Sequence, residues 1–122
     1  MDILEIVRGW LEGQGIRFLV DASNLKEGIG GLYPQGRREV QRREDVLGGV
    51  YVTARYSFLL KLPAIPGGAM AEKLLLLQHT DPPDLGADAN FTVLDGKLTK
   101  QAGNGIAWYE LRLIAEREEE NA

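Results

Sequence analysis

The sequence predicts an α+β domain, an antiparallel β-sheet with an N-terminal helix and a second helix packed on the sheet. Val50 to Leu62 sets Val50, Val52, Ala54, Tyr56, Phe58, Leu60 and Leu62 on one face against Tyr51, Thr53, Arg55, Ser57 and Lys61 on the other. Strand side chains point alternately to opposite faces, so this is a long half-buried strand with one wet side. Ile106 to Arg117 alternates in the same way, with Tyr109, Leu111, Leu113 and Ala115 facing away from Trp108, Glu110, Arg112 and Glu116. Two stretches of helical spacing, one before and one between these strands, complete the class.

The first helix covers Asp2 to Glu12, where Ile3, Ile6, Val7, Trp10 and Leu11 form an apolar stripe opposite Glu5, Arg8 and Glu12. Gly13 or Gly15 closes it. Ile16 to Asp21 reads as a short strand and Ala22 to Gly31 as a turn-rich connection. Leu32-Tyr33 reads as a very short edge strand, followed by a turn at Pro34-Gln35-Gly36. Arg38 to Val46 and Val50 to Leu62 then flank Leu47-Gly48-Gly49, whose glycines suit the positive-φ positions of a hairpin. Pro63 to Gly68 breaks the strand and leads into a helix at Ala69 to Gln78, striped by Met70, Leu74 and Leu77 and widened by Leu75 and Leu76. His79 to Gly86 reads as a loop and Phe91 to Leu94 as a strand. Asp95-Gly96 is a turn, with Leu98-Thr99 as the partner of that strand. Gln101 to Gly105 is a loop. The Glu118-Glu119-Glu120 tail, with the rest of 118–122, is expected to fray.

A chain of 122 residues, with no linker or internal repeat, fits one domain. Its 44% hydrophobic and 26% charged residues are an ordinary globular composition. No apolar run approaches the roughly 20 residues of a membrane span. The acidic, amphipathic start Met1 to Glu5 does not read as a secretory signal. The chain has no cysteine, which excludes disulfides, thiolate catalysis and cysteine-bound metal. A net charge of -4 argues against nucleic acid as the main ligand, though not against a local basic patch.

No constellation of catalytic residues emerges. His79 is the single histidine, so histidines of one chain cannot assemble a metal site; at a helix end it suits the negative end of the dipole. Asp81, Asp84 and Asp88 miss the spacing of a calcium loop and sit beside Pro82 and Pro83, so they read as turn residues. Gly28-Ile29-Gly30-Gly31 lacks the lysine and hydroxyl residue of a phosphate loop. Ser23, Ser57 and Thr80 lack the surroundings of an activated nucleophile. The chain is therefore expected to be no enzyme and to need no cofactor and no metal.

The unusual charge feature is the arm Arg37-Arg38-Glu39-Val40-Gln41-Arg42-Arg43-Glu44-Asp45, to which Arg55 adds a fifth arginine. A solvated strand face explains it, since exposed charges contribute little to stability. So does a partner-docking surface, where arginine is favoured. A path for nucleic acid is a third reading, weakened by the acidic neighbours.

Gly36-Arg37-Arg38-Glu39-Val40, Arg42 to Gly49 and Tyr56-Ser57-Phe58-Leu59-Leu60-Lys61-Leu62 together resemble small minor capsid proteins of tailed-phage prophages in Gram-positive bacteria. Pro83-Asp84-Leu85-Gly86, Val93 to Leu98 and Gly105 to Leu111 extend the resemblance, as do Trp10-Leu11 and Phe18 to Asp21. It covers nearly the whole chain and rests on glycines, aromatics and strand patterns. The helix ending in Gln78-His79-Thr80 departs from it, lacking the longer form with a tryptophan. The resemblance implies a tail-terminator-like fold and a tail-completion role: a homo-oligomeric ring, commonly a hexamer, at the head-proximal end of the tail. Its partners would be further copies of itself, the tail tube protein and the head connector protein, with DNA only passing through the ring and no membrane involved. The location would be the virion, and the host bacterial cytoplasm during assembly. Within such a ring Arg37, Arg38, Glu39, Arg42, Arg43, Glu44, Asp45 and Arg55 are the expected interface, with Gly28 to Pro34 as a second contact. A head–tail connector or adaptor, and a small cytoplasmic binding or enzymatic domain, stay open as alternatives.

Overall fold

A computed structural model describes residues 2–21, 29–86, 89–94, 98–100 and 107–120. It is an α+β fold with the order α1 (Ile3–Glu12), β1 (Phe18–Val20), β2 (Gly30–Glu44), β3 (Val50–Pro63), α2 (Ala64–Thr80), β4 (Ala89–Leu94), β5 (Leu98–Lys100) and β6 (Ala107–Glu120). The sheet runs β1-β2-β3-β6-β4, with β5 also on β6. It is mixed, because β1 pairs parallel to β2 while every other pair is antiparallel.

Helix α1 starts where Asp2 caps it: the Leu4 N–H donates to Asp2 Oδ1 at 3.0 Å. The predicted stripe buries Ile3, Val7 and Leu11, and Gly13 closes the helix. Helix α2 is longer than expected, taking in Ala64 to Gly68 at its start and His79-Thr80 at its end. Proline and glycine are tolerated in a first turn, where the backbone N–H groups have no helical partners. On α2, Met70 and Leu74 are buried, Leu75 and Leu77 half-buried, and Leu76 is 70% exposed, so the apolar stripe is narrower than the leucine run.

Register fixes which side chains share a face. Residues paired across an antiparallel ladder lie on the same side, so Val52, Ala54, Tyr56, Phe58, Leu60 and Leu62 share the inner face with Leu111, Leu113 and Ala115 of β6. Both helices cover this face. One contiguous core joins α1, β1, Leu32, Phe58 to Leu62, Met70, Leu74, Leu85, Val93 and the middle of β6. The buried Val52 and Ala54 lie further along β3, outside that core.

Several loop readings are replaced by strand. Leu32-Tyr33 and Pro34-Gln35-Gly36 belong to the 15-residue β2, which absorbs the proline at a register shift between Pro34 and Gly36. Gly36 sits there at φ 126, a conformation that favours glycine. The free edge at this point also lets Pro34 lack a donor without breaking a ladder. Strand β5 pairs with β6 and not with β4, so the two short strands follow one another along one edge. Glu118 to Glu120, expected to fray, are the last residues of β6 and pair with Tyr51 to Thr53. The turn read at Asp95-Gly96, the loop at Gln101 to Gly105, and most of the Ala22 to Gly31 connection lie outside the described residues.

Gly9, exposed in the middle of α1, has nothing of its own chain within 4 Å of where a Cβ would stand. Replacing it with alanine should raise stability by about 1 kcal/mol in urea unfolding, through helix propensity alone. Leu60→Ala, at a fully buried core position, should instead cost about 2–5 kcal/mol.

Candidate assembly surface

Strands β2, β3 and β6 outrun the helix-covered core and form a three-stranded arm. Its register runs from Arg37↔Tyr56 and Tyr56↔Ala115, at the edge of the core and still bordered by β4 as far as Arg117, out to Glu44↔Val50 and Tyr51↔Glu120, where three strands remain. A two-stranded hairpin is marginal alone in water, and the third strand supplies what it lacks. Here β6 brings glutamates where β2 and β3 bring arginines.

On the inner face, Glu119 is the hub. Arg37 Nη2 donates to its Oε1 at 2.9 Å, the Tyr56 hydroxyl donates to Oε2 at 2.9 Å, and Arg117 Nη2 reaches Oε2 at 3.1 Å. Arg37 and Arg117 also lie over the Tyr56 ring, 5.9 Å and 5.7 Å from its centroid. Burial pushes the Glu119 carboxyl up, but hydrogen bonds from Arg37, Tyr56 and Arg117 outweigh it and hold the group below its usual range. On the outer face, Arg55 Nη2 meets Glu116 Oε1 at 3.0 Å, and Arg43 pairs with Glu118 while lying 4.7 Å from the Tyr51 ring centroid.

The eight residues expected at an interface therefore divide. Arg37, Arg43 and Arg55 are held inside the chain by Glu119, Glu118 and Glu116. Glu39 lies 3.6 Å from Arg37. Asp45 is a turn residue: its Oδ1 accepts from the Leu47 N–H at 2.9 Å and the Gly49 N–H at 2.8 Å, bonds that hold its carboxyl below the ordinary value. Glu44 stands at the last register position, opposite Val50. Arg38 and Arg42 have no carboxylate partner among the described residues and remain available to another molecule. Arg38 faces Arg55 across the ladder, and Arg42 faces Val52 on the other side of the arm.

The second expected contact, Gly28 to Pro34, is divided: Tyr33 is half-buried and Pro34 exposed, whereas its middle is covered within the chain. Gly30, Gly31 and Leu32 are buried against β1, and a Cβ on Gly30 would stand 2.4 Å from Phe18 Cε1. Gly28 lies outside the described residues.

The arm ends in an apolar tip that the sequence reading passed over. Val46 is 101% and Leu47 92% exposed. Gly48 takes φ 86, as a three-residue hairpin loop requires, and Asp45 N–H donates to the Gly49 carbonyl at 2.9 Å to close it. Gly49 serves differently from the expected second positive-φ glycine: a Cβ there would stand 2.8 Å from Asp45 Oδ2. Two adjacent apolar residues between charged and glycine residues were the available signal. Glu116, Glu118 and Glu119 were signalled too, by a run of glutamates matching the arginines of the arm.

The other titratable candidates stay apart from this surface. His79 is exposed in the last turn of α2, and Asp81 is exposed beyond it. Asp84 accepts from the Gly86 N–H at 3.1 Å as a turn residue, while Asp88 lies outside the described residues. Among the described residues no group of three or more potential ligands could hold a metal ion. No described helix is long and apolar enough to cross a membrane. No protein-family model and no curated protein matches the chain.

Because the folded Glu119 is depressed, its contribution to stability is complete above the ordinary carboxylate value of 4.5 and is lost as pH falls through the folded value. Acid unfolding of Glu119→Gln should therefore lose part of the wild-type slope below about pH 4.5 while the variant is already less stable at pH 7. Equal slopes in the two proteins would remove Glu119 from this role.

Proposed function

We propose that the chain is a structural virion protein of a tailed phage, a tail terminator whose copies form a ring, commonly of six, at the head-proximal end of the tail. The ring ends tube growth and presents a face to the head connector protein, while DNA passes through it. The observation that carries the assembly half of this reading is the projecting arm. It offers the two guanidinium groups of Arg38 and Arg42, unpaired among the described residues, and the exposed Val46-Leu47 tip, on strands joined by ion pairs within the chain. Pre-ordered surfaces associate at lower entropic cost. The phage assignment rests on the sequence resemblance of the arm, of the loop at Pro83 to Gly86 and of the start of β6.

A ring built head to tail needs two different patches on each copy, one of which is the arm. Charge on that patch makes assembly sensitive to salt, because exposed charges are screened within about 8 Å at physiological ionic strength. The paired arginines serve the fold, whereas the unpaired ones serve the neighbour.

Reversing Arg38 and Arg42 together to glutamate should leave the melting temperature nearly unchanged and abolish capping of tail tubes, scored by electron microscopy of gold-labelled protein on purified tubes. Arg43→Glu should instead lower the melting temperature by breaking the pair with Glu118. Wild-type label bound to portal assemblies and never to tube ends would replace the terminator reading with the connector one.

A further inference from the structure

We propose that the Val46-Leu47 tip of one copy docks into a groove on a second copy, between α1 and the 82–86 loop, making this groove the second patch of a head-to-tail contact. The inference rests on the ring reading and specifies where that ring is joined.

The groove holds about 700 Å³ and is walled by Ile6, Trp10, Pro82, Pro83 and Leu85. Its walls are fixed. Trp10 Nε1 donates to the Asp81 carbonyl at 2.7 Å and its ring meets Phe91 edge-on at a centroid distance of 5.0 Å. Leu85 is 7% exposed and belongs to the core.

Gly9 opens one side of this groove. A glycine in a helix interior costs roughly 1 kcal/mol relative to alanine. No packing within the chain explains it, since an added Cβ would meet nothing within 4 Å. Space left at such a cost suits the close approach of another chain.

The tip fits the groove in chemistry and in charge. Val46 and Leu47 are the two most exposed large apolar side chains among the described residues, and the Asp45 bonds hold them in place. Glu5 and Asp84 line the groove, and both are exposed. Behind the tip Glu44 and Arg42 stand on the same face of β2, two and four residues back or about 7 and 13 Å at strand rise, so the arm brings both signs of charge to a groove lined by Glu5, Asp84 and Arg117. Arg117 also lines the groove, but it already bonds Glu119, so it does not oppose the arriving arginine as a free charge.

The patches are distinct, so docking is heterologous and can close into a ring. Edge pairing through β2 is the rival mode, and the edge is built against it. From Pro34 to Glu44 it carries a proline, two register shifts and four arginines.

The chain has no cysteine, which makes directed disulfide formation a clean test. Leu47→Cys and Gly9→Cys proteins, each at an exposed position, are mixed and oxidised at a concentration where light scattering finds association. A Leu76→Cys protein, exposed on α2, replaces the tip variant as the control. The expected result is a cross-linked dimer of the Leu47 and Gly9 variants at about ten-fold or more the control yield. Leu47→Asp and Gly9→Leu should each weaken association about ten-fold, the scale of a contact worth about 1.4 kcal/mol. Gly9→Leu should do so while raising the melting temperature, which separates lost docking from lost folding. An associated sample without excess cross-linking overturns the docking and leaves the ring reading standing. A chain that stays monomeric at the highest concentration, and forms no cross-linked oligomer on purified tail tubes, overturns both.

Discussion

The arm depends on one carboxylate. Glu119 ties together the outer parts of three strands, taking hydrogen bonds from Arg37 of β2, Tyr56 of β3 and Arg117 of β6 itself. Beyond the helix-covered core the apolar burial narrows to Val52 and Ala54, and directional polar contacts around them add to what holds the strands in register. Arg55 with Glu116 and Arg43 with Glu118 repeat the device on the opposite face. Single exposed ion pairs stabilise little, but a network on paired strands restricts the same few side chains several times over. Its chief product is shape.

That shape decides which charges are available. Once β6 has neutralised Arg37, Arg43 and Arg55, the arm presents Arg38 on one face and Arg42 on the other. The same charges, with Pro34 and two register shifts, keep the open edge of β2 from pairing with another sheet. An edge made unfit for strand addition leaves the tip and the guanidinium groups of Arg38 and Arg42 as the exposed features that the arm presents.

Much of the fold was legible because period-2 and helical patterns survive wherever one face is buried. Val50 to Leu62 and Asp2 to Glu12 are of this kind, and both formed as read to within a residue or two. The first half of β2 was not legible: Gly30, Gly31, Pro34 and Gly36 carry turn chemistry, and only the neighbouring strands β1 and β3 make them a strand. Leu98-Thr99 was correctly a strand, but its choice of β6 over β4 is a tertiary fact without a local signal. Glu118 to Glu120 read as a solvated tail because a charge run usually is one. The pairing of Glu118 and Glu119 with arginines 75 and 82 residues earlier is a long-range match. The arm was legible as a surface, while the division of its arginines into structural and free required the register.

Hydrogen–deuterium exchange on the wild-type chain, below and above its association concentration, tests this account most directly. A preformed arm predicts that amides of Thr53 to Phe58, bonded between β2 and β6, are already protected in the dilute chain. It also predicts that Val46 to Gly48, of which Leu47 and Gly48 are already bonded to Asp45, slow further in the associated state, together with Ile6 to Trp10 of α1. Rapid exchange throughout 50–58 in the dilute chain would contradict it, because an arm ordered only by its partner could not have been shaped by Glu119.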